Sequence, residues 1–515
     1  MSSILTNTSS MVALQTLRGV NSQLQQTQNE ISTGKSVGSA RDNASIWAIS
    51  KVMESDVKGF KAISESLSLG ESTVAVARNG AETVTDLLVQ MKEKIVGAQE
   101  ENVDRSKLQA DITALSDQIK SVTGAAQFNG LNLLSGTDDV NVLSSLDRSS
   151  DGTVAASDIA ISRQDLSFDA GVYGTGTDLS ANITAADGAN SLAGVAGNEF
   201  SNKGNTMTIA LAAVTAGASN TYNMQVAGTT VSYTSDASGN SPTTVADGII
   251  AALNEAGIED IVATAATGTI TITSTSKFDD VEVNFSTTDS TATANVNGGG
   301  AGAAGAGFTG EEIGARASTV AFSATAAVQD GDGYRVALGG VNYDYVAGPG
   351  ESMEDVARGL KTVIDGASVE NITTNVVQND SNEWVLQIDN DGTDMTLTDA
   401  GMGGGTATGG LSGVDSLDVM TDLGVEAALA NIETYIDTAI DAAASFGSAE
   451  GRIETQAEFI SNLTDSLTAG IGTLVDADME ATSARLQALQ VQQQLGVQSL
   501  SIANQSPQSI LSLFG

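Results

Sequence analysis

Apolar residues recur every seven positions through the first hundred residues. Ile46, Met53, Phe60, Leu67, Val74, Ala81, Leu88 and Ile95 share one position of that repeat, and Ile49, Asp56, Ile63, Gly70, Ala77, Val84, Met91 and Ala98 fill its companion, mostly apolar. Two such rows on one helix form a continuous apolar seam, which is the coiled-coil pattern. Asp42 or Asn43 is placed to cap it. The repeat breaks between Glu100 and Arg105, where Asn102 or Asp104 can cap a second helix carrying Leu108, Ile112, Leu115, Ile119 and Val122. A shorter amphipathic helix comes before both, with Leu17, Leu24 and Ile31 seven apart. The C-terminal end repeats the pattern: Ile460, Leu467, Leu474, Ala481, Ala488, Leu495 and Ile502 form one row, and helical spacing reaches back through Leu429 toward Thr421. Seams this long must be buried against other helices. The other terminus of the same chain is the economical partner, with identical subunits completing the burial. An ordinary long helical core accounts for most of these residues equally well. Assembly is favoured because both extreme ends are amphipathic yet lack the chain to cover themselves.

The middle has a different period. Thr269-Ile-Thr-Ile-Thr273 and Trp384-Val-Leu-Gln-Ile388 alternate or are β-branched, as strands are. One internal repeat stands out. Tyr222, Gly228 and Tyr233 are followed by Val245-Ala-Asp-Gly-Ile-Ile250, and Tyr334, Gly340 and Tyr345 by Val356-Ala-Arg-Gly-Leu-Lys361. Each copy then enters another strand region. The unit reads as a hairpin, a short helix and more strands, giving two tandem α+β modules. The expected organisation is a terminal coiled-coil domain from 1–42 and 475–515, and a helical core with a small β element from 43–150 and 420–474. Module one takes 155–295, a Gly/Ala joint 296–310, and module two 311–415.

Composition narrows the function. The 515 residues include no Cys, no His and three Pro. Zinc sites, thiol nucleophiles and His-based triads are therefore unavailable, and an enzyme would need carboxylates, Lys or hydroxyls alone. No cofactor site is expected, and no Gly-rich stretch has phosphate-loop or dinucleotide spacing. Net charge is −41 and lies mostly in the middle, where 8 Lys and Arg face 35 Asp and Glu between residues 141 and 420. Such a balance argues against nucleic acid or an anionic membrane as partner. The N-terminus has neither the basic region nor the apolar run of a cleaved signal peptide, so a dedicated export machine is expected if the chain is secreted.

Four motifs then join the helical pattern. Ile31-Ser-Thr-Gly-Lys-Ser-Val-Gly-Ser-Ala-Arg-Asp-Asn-Ala-Ser-Ile-Trp47 resembles the bacterial flagellin stretch between the first helix and the long N-terminal helix. Gln127-Phe128-Asn129-Gly130-Leu-Asn-Leu-Leu134 is similar to that family's turn after the second helix. Val475-Asp-Ala-Asp-Met-Glu-Ala-Thr482 is similar to its C-terminal junction, and Ala503-Asn504-Gln505-Ser-Pro507-Gln-Ser-Ile-Leu-Ser-Leu513 to its terminal sequence. The Asn129-Gly130 pair suits a tight turn between helix and strand, and Pro507 is placed to end the last helix. The resemblance implies a multidomain fold: an all-α coiled-coil and bundle core from the paired termini, with β-rich α+β modules inserted between them. It implies a structural subunit that polymerises with itself into the extracellular filament after unfolded passage through the flagellar type III apparatus. Export apparatus and chaperone, hook-junction and cap proteins are the partners it implies.

Weaker signals stand beside these. Asp147, Ser149, Asp151 and Asp158 have the outline of a calcium loop, but position 12 is Asp rather than Glu and no strong helix follows; an acidic turn is the simpler reading. Some flagellins carry a stretch read by an animal innate immune receptor. Here the matching run is Leu88-Val-Gln-Met-Lys-Glu-Lys-Ile95, with Gln90 and Lys92 where the family has Arg, so weak recognition is expected. The Ser/Thr-rich middle would permit O-glycosylation. A hook–filament junction protein, a calcium-dependent surface adhesin and a carboxylate-only hydrolase are the competing readings.

Overall fold

The computed structural model describes residues 7–100, 102–148, 153–186, 199–200, 204–212, 214–215, 219–236, 241–296 and 307–511. Helices α1 (Thr8–Thr33), α2 (Ala44–Gly97) and α3 (Arg105–Ala125) come first, then hairpins β1 (Gln127–Phe128)–β2 (Leu131–Asn132) and β3 (Val140–Arg148)–β4 (Val154–Ile161). Strands β5 (Ile183–Ala186), β6 (Glu199–Phe200), β7 (Asn205–Ala212), β8 (Thr221–Val226) and β9 (Thr229–Thr234) lead to helix α4 (Pro242–Ala256). After it come β10 (Ile261–Ala266), β11 (Thr269–Ser274), β12 (Val281–Thr287), β13 (Thr293–Val296) and β14 (Phe308–Ile313). Strands β15 (Ser318–Phe322), β16 (Gly333–Leu338) and β17 (Val341–Val346) precede α5 (Met353–Gly366), which is followed by β18 (Ile372–Gln378), β19 (Trp384–Asn390) and β20 (Met395–Met402). Helices α6 (Asp422–Val475) and α7 (Met479–Leu511) complete the chain. Contacts group the chain into two units: residues 1–72, 140–161 and 448–515, and residues 73–139 and 162–447.

In the first unit α1 pairs with α7, and the two interhelical junctions clasp each other. Ser36 N–H donates to the Val475 carbonyl at 2.7 Å and Ala477 N–H to that of Gly34 at 2.9 Å. Asn43 caps α2, its Oδ1 accepting from Ser45 and Ile46 N–H. Asp478 does the same for α7, accepting from Glu480 and Ala481 N–H. The β3–β4 hairpin lies on α2 where glycine gives it room. A Cβ on Gly59 would stand 2.9 Å from Leu146, and one on Gly70 2.8 Å from Val142. Gln456 and Arg452 of α6 donate to the hairpin carbonyls of Ser144 and Ala160.

The helical part of the second unit buries both rows of the heptad seam: Val74, Ala77, Ala81, Val84, Leu88, Met91, Ile95 and Ala98 are all enclosed, with Ile112 and Ile119 of α3 and Ile432, Tyr435, Ala439 and Phe446 of α6. Asn129 and Gly130 both have positive φ, 51° and 83°. That is the backbone a two-residue hairpin of right-handed twist requires, so the turn joins β1 to β2 rather than a helix to a strand.

The two modules share one plan. Hairpin β8–β9, helix α4 and hairpin β10–β11 in the first correspond to β16–β17, α5 and β18–β19 in the second. The sheets run β10-β11-β7-β13 and β14-β12-β8-β9 in one, β18-β19-β15-β5 and β17-β16-β20-β6 in the other, all antiparallel where paired. The expected borders shift accordingly. Residues 308–310, expected in the joint, and 311–313, expected in module two, lie in the first module's sheet, Ile313 pairing with Val281 and Phe308 with Phe285. Strands β5 and β6 precede the first module but complete the second, against β15 and β20. Residues 155–161 belong to the β3–β4 hairpin. Module one is thus one continuous segment inserted into module two. Residues 297–306, the core of the expected Gly/Ala joint, lie outside the described residues. The modules meet at Arg316, whose guanidinium holds the buried Asp389 carboxylate through two bonds of 2.7 and 2.6 Å and reaches Asp391 at 3.1 Å.

Candidate assembly surface of the terminal helices

Helix α1 starts at Asn7, whose side-chain Oδ1 accepts from Ser10 N–H at 3.1 Å, and ends at Gly34 with φ 71°. It runs antiparallel to α7. Among the described residues three side-chain bonds cross between them: Asn7 Nδ2 to the Ala503 carbonyl, Ser10 Oγ to Asn504 Oδ1 and Gln493 Nε2 to Asn21 Oδ1, each 2.8 Å. Gly496 stands opposite Leu17, where a Cβ would meet Leu17 Cδ1 at 3.2 Å.

The seam residues divide into three groups. Leu67, Leu88, Ile95 and Ile460 are fully enclosed within one chain. Leu17, Leu24, Ile31, Ile46, Met53, Phe60 and Leu467 are half-covered, and Met53 reaches Gly470 at a distance of 3.4 Å from its would-be Cβ. Leu474, Leu495 and Ile502 are open, Ile502 at 69% exposure. The face of α7 turned to α1 is therefore not the row expected from the heptads. It is Thr482, Leu486, Leu489, Gln493, Gly496, Leu500 and Ala503, spaced alternately four and three. Helix α7 carries apolar residues on more than one face, and the pairing takes the face with polar and small residues. Val491, Leu495 and Ile502 are left exposed, as are Met11 and Val12 of α1. Leu495, Ile502 and Val12 line a groove together with Thr16, Val20 and Ser499. Ile49, Val52 and Phe459 extend the open apolar set along α2 and α6. So much exposed apolar side chain on narrow helices marks an interaction surface.

Two further expectations change. Helix α7 runs through Pro507 to Leu511 instead of ending there. Pro507 has no N–H to give the carbonyl four residues back, which is that of Ala503. That carbonyl receives Asn7 Nδ2 instead. Asn504 and Gln505 are exposed on the same helix. The calcium-loop outline also changes. Asp147 and Asp158 lie on paired strands, Asp147 opposite Ala155 and Asp158 opposite Leu143. Three ladder steps separate them, and the Asp147 carboxylate accepts from Ser157 Oγ at 3.3 Å, so the two are not brought together as ligands. Ser149 and Asp151 fall outside the described residues, and no cluster of three potential metal ligands occurs among the described ones. Phe128 is half-buried in β1, beside the Asn129-Gly130 turn.

Sequence periodicity found the seams but missed the polar crossings. Asn7 was visible as an asparagine directly before a helical stretch; that it answers a proline near the other end was not visible, because nothing local links the two.

Comparison with known proteins follows the same terminal regions. Residues 4–139 match the family model for the bacterial flagellin N-terminal helical region, and residues 429–514 that for the bacterial flagellin C-terminal helical region. The chain is 32% identical to Flagellin A of Rhizobium meliloti over 521 residues and 31% identical to Flagellin B of that organism over 523, each alignment covering all of both chains. Among solved structures, the flagellar hook associated protein-3 of Legionella pneumophila aligns with 82% of this chain and 98% of its own, at 11% identity and a TM-score of 0.30, a likeness too slight to bear on the fold.

Proposed function

The chain belongs to the bacterial flagellin family and is a structural subunit of the flagellar filament, not an enzyme; we propose that it enters the filament through its paired termini. The observation that carries this reading is the open apolar row of α1 and α7, with Val12, Leu495 and Ile502 uncovered in the single chain. Identical neighbours packing on that row complete the burial that the heptads demand. The filament lies outside the cell. Unfolded passage through the flagellar type III apparatus, with a chaperone, hook-junction and cap proteins as transient or terminal partners, is the route we assign to it. A cysteine-free chain with three prolines suits such a route, since neither disulfides nor many slow isomerisations delay refolding. The two modules are then the parts left exposed on the filament, where their acidity keeps neighbouring filaments apart.

Recognition by an innate immune receptor is weak in this reading. Leu88, Met91 and Ile95 are fully buried, which leaves Val89, Gln90, Lys92, Glu93 and Lys94 as the reachable groups. Lys92 is engaged with Glu433 at 2.5 Å, and Gln90 offers no charge.

Seeded elongation tests the assembly reading. The full chain should extend short filament seeds, followed by light scattering and electron microscopy, and a chain lacking residues 1–40 and 475–515 should not. Elongation by the truncated chain, or a full chain that stays monomeric in the presence of seeds, overturns it.

A further inference from the structure

We propose that Asn7 and Pro507 together set the register of the α1–α7 pair, and through it the shape of the assembling face. The inference rests on the reading that the paired termini carry assembly. In a helix each carbonyl accepts from the N–H four residues on. Pro507 denies that donor to Ala503, yet the helix continues to Leu511. The Asn7 carboxamide supplies a replacement at 2.8 Å, while its oxygen caps α1 through Ser10 N–H. One side chain therefore satisfies both a first-turn donor of α1 and a proline-orphaned acceptor of α7.

The rest of the seam holds register weakly. Its face on α7 mixes Thr, Gln, Gly and Ala with three Leu, and a slip of one heptad would still set apolar groups against apolar groups. Such a slip would bring Asn7 to Gly496, whose carbonyl already has Leu500 N–H as its helical donor, and would leave the Ala503 carbonyl without its replacement. The Ser10–Asn504 and Asn21–Gln493 bonds would part together. Val12 would also move past Leu495 and Ile502, so a neighbour fitted to the native groove would meet a different surface. This is the use to which single polar residues in coiled coils are put, fixing alignment where apolar packing tolerates several.

Three full-length variants decide it. Asn7→Ser keeps an N-cap acceptor and removes the amide donor without adding charge. Pro507→Ala returns an N–H to Ala503. The double variant closes a thermodynamic cycle. Asn7→Ser should raise the critical concentration for seeded elongation by about three- to tenfold, the effect of one lost hydrogen bond. In the Pro507→Ala background the same change should cost less than about twofold. Register is read directly by cross-linking, because the chain has no cysteine of its own. A Cβ at position 496 would lie 3.9 Å from that of Leu17, within disulfide range. With a mild oxidant such as copper phenanthroline added, Leu17→Cys with Gly496→Cys should cross-link under assembly conditions, while Leu17→Cys with Leu489→Cys, one heptad away, should do so only when Asn7→Ser is present. An equal cost of Asn7→Ser in both backgrounds, or no gain of the slipped cross-link, overturns the proposal. A wild-type chain that fails to extend seeds overturns the assembly reading instead, and the cross-links then decide register alone.

Discussion

Gly248 and Gly359 occupy the same place in the two modules, on the face of the helix that covers a tyrosine. A Cβ at Gly248 would stand 2.2 Å from the nearest atom of the Tyr233 ring, and one at Gly359 2.3 Å from that of the Tyr345 ring, both closer than van der Waals contact allows. Replacing a helical glycine by alanine ordinarily stabilises by up to about 1 kcal/mol. Here the sign reverses, since the ring must move or the helix must lift. Tyr345 is buried and its hydroxyl is held by Glu351 at 2.9–3.0 Å, whereas Tyr233 is only half-buried. Gly359→Ala should therefore cost about 2–3 kcal/mol in urea unfolding, and Gly248→Ala distinctly less. Equal costs would show that ring mobility does not decide the outcome. Glu351 itself sets a pH dependence. Burial pushes its carboxyl up to about 7, against the hydrogen bonds from Tyr345 and Gly348; Asp355 and Asp330 add to the rise. Arg163, Tyr435 and Asp441 line the same cavity of about 220 Å³. The folded chain thus holds this proton more tightly than the unfolded one. The contribution is complete below the unfolded value near 4.5 and is lost as the pH climbs through 7. Stability of this module should fall by about 2–3 kcal/mol between roughly pH 5 and 8. Glu351→Gln should flatten the slope, and a variant as pH-sensitive as the parent would sink the assignment.

Among the elements, β14 is the one whose placement changes most. It closes the edge of the first module's sheet, Ile313 is buried there, and Phe308 stacks on Phe285 with ring centres 5.9 Å apart. A fragment of residues 204–313 should fold cooperatively by circular dichroism and give dispersed amide resonances. A fragment ending at 295 should not, because that sheet edge and its apolar cover are missing. If the shorter fragment melts at the same temperature, β14 is dispensable and the border belongs earlier. The repeat itself was legible because tyrosine, glycine and the Val-Ala-X-Gly helix start recur at matching spacing. Helix α2 was legible because seven-residue rows survive over its length. What could not be read was the pairing of β5 with β15 and of β6 with β20. Ile183-Thr-Ala-Ala186 and Glu199-Phe200 are too short to carry a periodic signal, and their partners lie across the whole of the other module. The apolar face chosen by α7 was hidden for another reason: more than one face of that helix is apolar, and polar bonds rather than hydrophobicity select among them. Arg316 went unnoticed because a lone arginine in a loop carries no signal until Asp389 is seen beside it.

For the molecule as a whole, the nesting of the modules orders events in time. Module one is contiguous, so every strand it needs has been delivered once Ile313 has emerged. Module two holds two of its strands from the start but cannot seat them until β15 and β20 follow, after the entire inserted segment. Contacts that wait for distant chain form slowly. Refolding should consequently run outward-in along the insertion: the segment farthest into the sequence loop closes first, and its host closes around it. The inserted module then acts as a timer, holding β5 and β6 unpaired for as long as its own closure takes. A change that stabilises contacts in the folding nucleus of module one would shorten that wait without touching a single residue of module two.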